Sequence, residues 1–187
     1  HAMSTVTATS TREHRVTVRS LRNSKKQGEP FTMLTAYDHT FARIFDAAGI
    51  DVLLVGDSLG NVVQGEDTTL PVTLDESIYH TRLVARGANR AMVVGDMPFG
   101  SYEASPEKAF ESAAWLLKQT GAAAVKLEGG AAMASTVRFL SERGIPVMGH
   151  VGLTPQAVNV LGGYGARGRT DAEAEKIVGD AVAVAEA

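Results

Sequence analysis

Val52-Leu53-Leu54-Val55-Gly56-Asp57 decides how the chain is read. Four apolar residues, then a glycine and an acid, make the pattern of a short strand buried on both faces that ends on a polar group. The pattern recurs at Met92-Val93-Val94-Gly95-Asp96 and at Ala123-Ala124-Val125-Lys126-Leu127-Glu128, with helix-like segments between. Strands alternating with helices predict an α/β fold with a parallel sheet. In that architecture the strands all end on one face, where ligands and catalytic groups gather. Asp57, Asp96 and Glu128 are therefore expected to converge, although they are far apart in sequence. An all-oxygen set favours a hard ion such as Mg²⁺, which keeps waters and draws its remaining ligands from substrate. A plainer reading makes each acid the N-cap of a following helix. Asp57 runs into Ser58-Leu59-Gly60 and Asp96 into Met97-Pro98, neither of which is expected to begin a helix directly.

The alternation extends both ways. Phe31 to Asp38 reads as a first strand and its exit, followed by a helix from about Thr40 to Ala48 that Gly49 can cap. The connection from Ser58 to Pro71 is polar and longer than most strand-to-helix loops, and reads either as a functional lid or as a packed surface loop. Thr73 and Glu76 form a capping-box pair for a helix carrying Ile78, Leu83 and Val84. Ser105 as N-cap and Pro106 at N1 open another, with Phe110, Ala113, Ala114 and Leu117 on one face. Trp115 lies off that stripe, on a second packing surface such as one between subunits. A helix with Val137 and Leu140 leads to Gly144-Ile145-Pro146-Val147-Met148-Gly149-His150, a fifth strand that sets His150 beside the acids. Thr154-Pro155 begins a short helical turn, and Gly162 to Gly168 reads as a flexible loop. Thr170 and Glu173 are a further capping box for a last helix bearing Ile177, Val178, Ala181, Val182 and Ala185. Five strands fall short of the eight that close a (β/α)8 barrel, which usually takes about 200 residues or more. The rhythm fits an open sheet or a barrel without its final third.

Composition bounds the function classes. The 187 residues are 44% hydrophobic with a formal net charge of -3, and no apolar run is long enough to span a bilayer. Neither nucleic acid nor a membrane surface is an expected partner. The chain contains no cysteine, which excludes disulfides, thiolate metal sites and cysteine nucleophiles and suits a reducing cytoplasm. Residues 1–30 read as an arm and residues 31–187 as the catalytic domain. His1-Ala2-Met3 looks like a cloning remnant ahead of a natural start. The arm is basic, with Arg12, Arg15, Arg19, Arg22, Lys25 and Lys26 against Glu13 and Glu29, yet lacks the aromatic interleaving of a nucleic-acid binder. It is expected to pack Val16, Val18 and Leu21 against the domain.

Five segments in order now carry a resemblance. They are Met33-Leu34-Thr35-Ala36-Tyr37-Asp38, Val55-Gly56-Asp57-Ser58-Leu59-Gly60, Gly95-Asp96-Met97-Pro98-Phe99-Gly100-Ser101-Tyr102, Val125-Lys126-Leu127-Glu128-Gly129-Gly130 and Gly149-His150-Val151-Gly152-Leu153-Thr154-Pro155-Gln156. Together they resemble the ketopantoate hydroxymethyltransferase family of pantothenate biosynthesis. The resemblance implies a (β/α)8 TIM barrel, of which this chain holds roughly the first five βα units, in a cytoplasmic homo-oligomer, commonly a decamer. It implies Mg²⁺ and transfer of a one-carbon unit from 5,10-methylenetetrahydrofolate to 3-methyl-2-oxobutanoate, giving 2-dehydropantoate. By matching position, Asp57, Asp96 and Glu128 would surround the metal, Glu128 in one version through water. Ser58 and Lys126, with Asp57 and Asp96, would hold the 2-oxo acid, and His150 would lie beside its oxygens. Lys126 and His150 are thus the catalytic candidates. The family's general base, a glutamate ending the sixth strand, would fall past Ala187, so the chain reads as the N-terminal two-thirds of such an enzyme.

The chemistry asks for these groups in its own right. A 2-oxo acid can chelate Mg²⁺ through ketone and carboxylate oxygens, which acidifies its C3 proton. A cation such as Lys126 aimed at the ketone oxygen stabilises the charge that develops there as the enolate forms. The enolate then attacks the one-carbon unit. Plainer readings pair Lys126 with Glu128, two residues along on the same strand face, and make His150 structural. Two other functions stay open: a related Mg²⁺-dependent C–C lyase or mutase of 2-oxo acids, and a catalytically silent fragment without its base. Taken alone, the chain is expected to leave strand edges and apolar faces uncovered.

Overall fold

In the computed structural model, which describes residues 14–187, five parallel strands lie side by side in chain order. They are β1 (Met33–Thr35), β2 (Val52–Val55), β3 (Met92–Asp96), β4 (Ala124–Glu128) and β5 (Val147–His150). His1-Ala2-Met3, Arg12 and Glu13 lie outside the described residues. Helix α1 (Val18–Gln27) precedes the sheet, and α2 (His39–Ala47), α3 (Leu74–Gly87), α4 (Pro106–Thr120) and α5 (Ala134–Glu142) connect successive strands. After β5 come a short turn at Pro155–Ala157, α6 (Val158–Leu161) and α7 (Asp171–Glu186). This simple winding is the predicted βα repeat.

Alternation along the strands splits the sheet into two faces. Leu53, Val55, Val93, Val125 and Leu127 are buried in one core with Ile78 and Val84 of α3, Ala109, Ala113 and Leu116 of α4, and Val137 and Leu140 of α5. On the other face Val52, Met92, Val94 and Ala124 bury against Val16, with Val18 and Leu21 of α1 packed beside them. Val16, Val18 and Leu21 of the arm therefore plug the sheet from beneath, as their apolar character predicts. Val16 N–H donates to the Arg90 carbonyl at 2.8 Å, tying the plug to the start of β3. Asp51 and Arg90 form an ion pair at the same end.

Several local expectations are refined. The first strand shrinks to three residues, all exposed, because only β2 pairs with it among the described residues. Asp38, at the strand exit, is a true N-cap and accepts from Phe41 N–H at 2.9 Å. The Thr73–Glu76 capping box forms as expected. At α7 only half of the expected box is present. Thr170 caps Glu173 N–H, but the Glu173 carboxylate turns to Arg169 N–H. The stripe of α4 is rotated by one position, with Ala109, Ala113 and Leu116 deepest and Trp115 49% exposed. The connection after β2 contains a π-helical turn, Gly60–Gln64, with Leu59 and not Asp57 in its N-cap position, so Asp57 does not begin a helix directly, as expected. Leu59, Thr69 and Val72 are buried and Gln64 donates to Glu76 at 2.8 Å, so the loop is packed at its two ends, while Val62 and Val63 at its middle stand exposed.

Strand β3 lies so close to its helices that only glycine fits at Gly95. A β-carbon there would meet Leu116 Cδ2 at 2.7 Å and Thr81 Cγ2 at 3.3 Å. Gly95→Ala is expected to destabilise the fold by about 1–3 kcal/mol through overpacking. A urea midpoint equal to that of the parent protein would contradict this close approach.

Candidate active site

The strand register delivers the polar groups. Asp96 pairs with Lys126 across β3 and β4, and Glu128 pairs with His150 across β4 and β5; Asp96, Glu128 and His150 end their strands, and Lys126 lies at the middle of β4, two residues before Glu128. Asp57 follows β2 on the same side. Beneath them the same face buries the apolar residues Val52, Met92, Val94 and Ala124. The polar cluster thus sits at the end where a parallel sheet collects its chemistry.

Asp96 is the centre of the cluster and is almost fully buried. Its Oδ2 accepts from Asp57 N–H at 3.2 Å and from Lys126 Nζ at 2.5 Å. Its Oδ1 is buried without a hydrogen-bond partner. Burial pushes the Asp96 carboxyl up to about 6; Lys126 opposes that shift and the neighbouring charge of Asp57 adds to it. The Lys126 partner is therefore Asp96 on the adjacent strand, not Glu128 on its own strand, which corrects the plainer reading.

Glu128 is held differently. Its Oε1 lies 3.0 Å from His150 Nδ1, and its Oε2 accepts from Gln156 N–H at 3.0 Å. An ionised carboxylate can only accept, so His150 Nδ1 carries a hydrogen in this contact. Gln156 also donates from Nε2 to Asp57 Oδ2 at 2.9 Å and so stands between the two acids. Among the described residues no three His, Asp or Glu side chains are grouped to hold one metal ion. Asp57 and Asp96 adjoin each other; Glu128 is joined to them through Gln156.

Ser58 completes the rim, with its Oγ 2.8 Å from the Tyr37 hydroxyl. A β-carbon at Gly56 would meet that Oγ at 2.8 Å, so the absence of a side chain there makes room for Ser58. Gln156, Tyr102 and Tyr37 were not picked out as site residues from the sequence. Their signal was present only as membership of the motifs in which they stand.

A family model described as ketopantoate hydroxymethyltransferase matches residues 15–187. The chain belongs to that family. It is 61% identical over 173 residues to the 3-methyl-2-oxobutanoate hydroxymethyltransferase of Magnetococcus marinus, covering 92% of this chain and 65% of that protein. It is 63% identical over 176 residues to the enzyme of the same name from Novosphingobium aromaticivorans, covering 92% and 61%. The chain thus spans somewhat less than two-thirds of the length of these family members. Solved structures of similar fold include phosphonopyruvate hydrolase in complex with oxalate and Mg²⁺, with a TM-score of 0.65 and 12% identity over 90% of this chain and 59% of that one. A 2,3-dimethylmalate lyase of the PEP mutase/isocitrate lyase superfamily gives a TM-score of 0.58 and 18% identity over 90% and 57%. At such identities the likeness is one of fold. The matched residues include all five quoted segments, and the strand ends on which they fall are those just described.

Proposed function

We propose that this chain forms the metal- and 2-oxo-acid-binding part of an enzyme that transfers a hydroxymethyl group from 5,10-methylenetetrahydrofolate to 3-methyl-2-oxobutanoate, giving 2-dehydropantoate. The observation that carries the reading is Asp96 Oδ1, a buried carboxylate oxygen without a partner beside Asp57 and the Lys126 cation. A buried, unpaired anionic oxygen costs free energy unless a cation takes it up. The residues present fit Mg²⁺: Asp57 and Asp96 supply hard oxygen donors and would hold it, with Glu128 acting from behind Gln156. Bound there, the ion would supply Lewis acidity toward the ketone of the 2-oxo acid.

The protein groups then have separate tasks. Lys126, only 11% exposed, is a desolvated cation held against Asp96 at the end of β3, suited to stabilise negative charge as it develops on the ketone oxygen. The Ser58 and Tyr37 hydroxyls offer hydrogen bonds to the substrate carboxylate. His150, oriented by Glu128, presents its other ring nitrogen to the substrate oxygens. Relatives named 3-methyl-2-oxobutanoate hydroxymethyltransferase support the 2-oxo acid as acceptor, and the exposed Trp115 is the surface we assign to a homo-oligomeric contact. A cytoplasmic setting is part of the same proposal. No helix among the described residues is long and apolar enough to cross a membrane.

Calorimetric titration with 3-methyl-2-oxobutanoate tests the reading directly. Binding is expected to require Mg²⁺; equal affinity with and without the ion would count decisively against it.

A further inference from the structure

Gln156 lies in the short turn after β5 and is buried. A buried primary amide has two donor hydrogens and an acceptor oxygen to satisfy, and here each is used on a different element. Nε2 donates to Asp57 Oδ2 at 2.9 Å and to the Met97 carbonyl at 3.0 Å, while Oε1 accepts from the Tyr102 hydroxyl at 2.5 Å. The backbone N–H of Gln156 donates to Glu128 Oε2. Tyr102 is itself fully buried, and its oxygen accepts from Glu128 N–H at 3.0 Å; its hydrogen faces Gln156 Oε1 at 2.5 Å, much nearer than the Glu128 carbonyl at 3.3 Å. Burial pushes the Tyr102 phenol well above its ordinary value, so that hydrogen stays on at neutral pH. The amide cannot be turned over. Its oxygen would then face two acceptors, Asp57 Oδ2 and the Met97 carbonyl.

We propose that Gln156, locked in orientation by Tyr102, is a positioning residue that commits Asp57 Oδ2 to the protein and leaves the other oxygen of Asp57 to a cation. The assignment rests on the reading of Asp57 and Asp96 as the Mg²⁺ site. Gln156 also ties Asp57 to Glu128, so the two acids that flank the site are set by one side chain and its own backbone. Without that donor, the Asp57 carboxylate turns freely and must be ordered again each time an ion binds. Partners that orient metal ligands in this way commonly account for 10- to 100-fold in metal affinity, as an order of magnitude.

The test is calorimetric titration of the full chain with Mg²⁺ in the parent protein, Gln156→Leu and Tyr102→Phe, with thermal unfolding of each in parallel. Gln156→Leu is expected to raise the Mg²⁺ dissociation constant by about 10- to 100-fold, and Tyr102→Phe to raise it less, in the same direction. A purely structural role predicts lowered melting temperatures with Mg²⁺ affinity within about two-fold of the parent, which would overturn the proposal. If Gln156→Leu does not fold, Tyr102→Phe decides, because its ring still fills the core. A parent protein that binds no Mg²⁺ would overturn the metal site and this assignment together. Parent binding with unaltered variants would overturn this assignment alone.

Discussion

Asp96→Asn is expected to abolish Mg²⁺ binding, weakening it by more than about 100-fold, since it alters a ligand rather than a residue behind one. The reason lies in hydrogen-bond direction. Two donors, Asp57 N–H and Lys126 Nζ, converge on Asp96 Oδ2, so the amide oxygen of an asparagine must take that place. Its NH₂ group is then turned into the position of the unpartnered Oδ1, presenting positive hydrogens where a cation should sit. Titration with Mg²⁺ near neutral pH measures the effect, and affinity retained within about tenfold would place the ion elsewhere.

The same substitution carries a pH signature without metal. The Asp96 pKa is raised in the fold to about 6, against 3.8 as the ordinary value, so the folded state favours the protonated form. Its contribution to stability is fully present below the unfolded value and is lost as pH rises through the folded one. In chelator, the stability of the parent relative to Asp96→Asn is therefore expected to fall between about pH 4 and pH 7. Urea midpoints at the two ends measure it; a constant difference would show that Asp96 is not destabilised by its burial.

Lys126→Met is the second large effect. Methionine preserves the apolar stem in the strand but removes the cation next to Asp96, leaving that carboxylate without its counter-charge. If Lys126 answers to charge developing on the ketone oxygen, its loss should fall hardest on a ligand that already bears that charge. Oxalate is such a ligand, a planar dianion like the enolate of a 2-oxo acid. Its Mg²⁺-dependent affinity is expected to drop by about 100-fold or more. The loss for 3-methyl-2-oxobutanoate, with a neutral ketone, is expected to be nearer tenfold, roughly one charge-assisted hydrogen bond. Competition calorimetry compares the two, and equal losses would reduce Lys126 to a ground-state binder.

Strand-end acids were legible because a parallel sheet translates sequence order into position: an apolar run states where a strand ends, and the fold supplies the common face. The plainer alternative, Lys126 paired with Glu128, fails for a geometric reason. Same-face residues on one strand are separated by two residue rises, almost 7 Å, whereas neighbouring strands lie about 4.8 Å apart, so Asp96 is nearer than Glu128. The π-helical turn that begins at Gly60 was not foreseen because such turns are rare and follow an i→i+5 pattern, not the 3.6-residue period by which helices are read. Gln156 was out of reach for another reason. Its role is made by a loop folding back over two other strand ends, and nothing in Thr154-Pro155-Gln156 states where that loop lands.

The parity of the inner face has a consequence for robustness. Asp96, Lys126, Glu128 and His150 occupy the same alternation that buries Met92, Val94 and Ala124 above the α1 plug. A slip of β4 by one residue would drive Lys126 and Glu128 into the helix-packed core and expose Val125 and Leu127 in their place. Misregistered chains are thus rejected by core packing before any ligand is met. The sheet acts as its own proofreader, and a molecule that completes its hydrophobic core has, by the same act, aligned its charges.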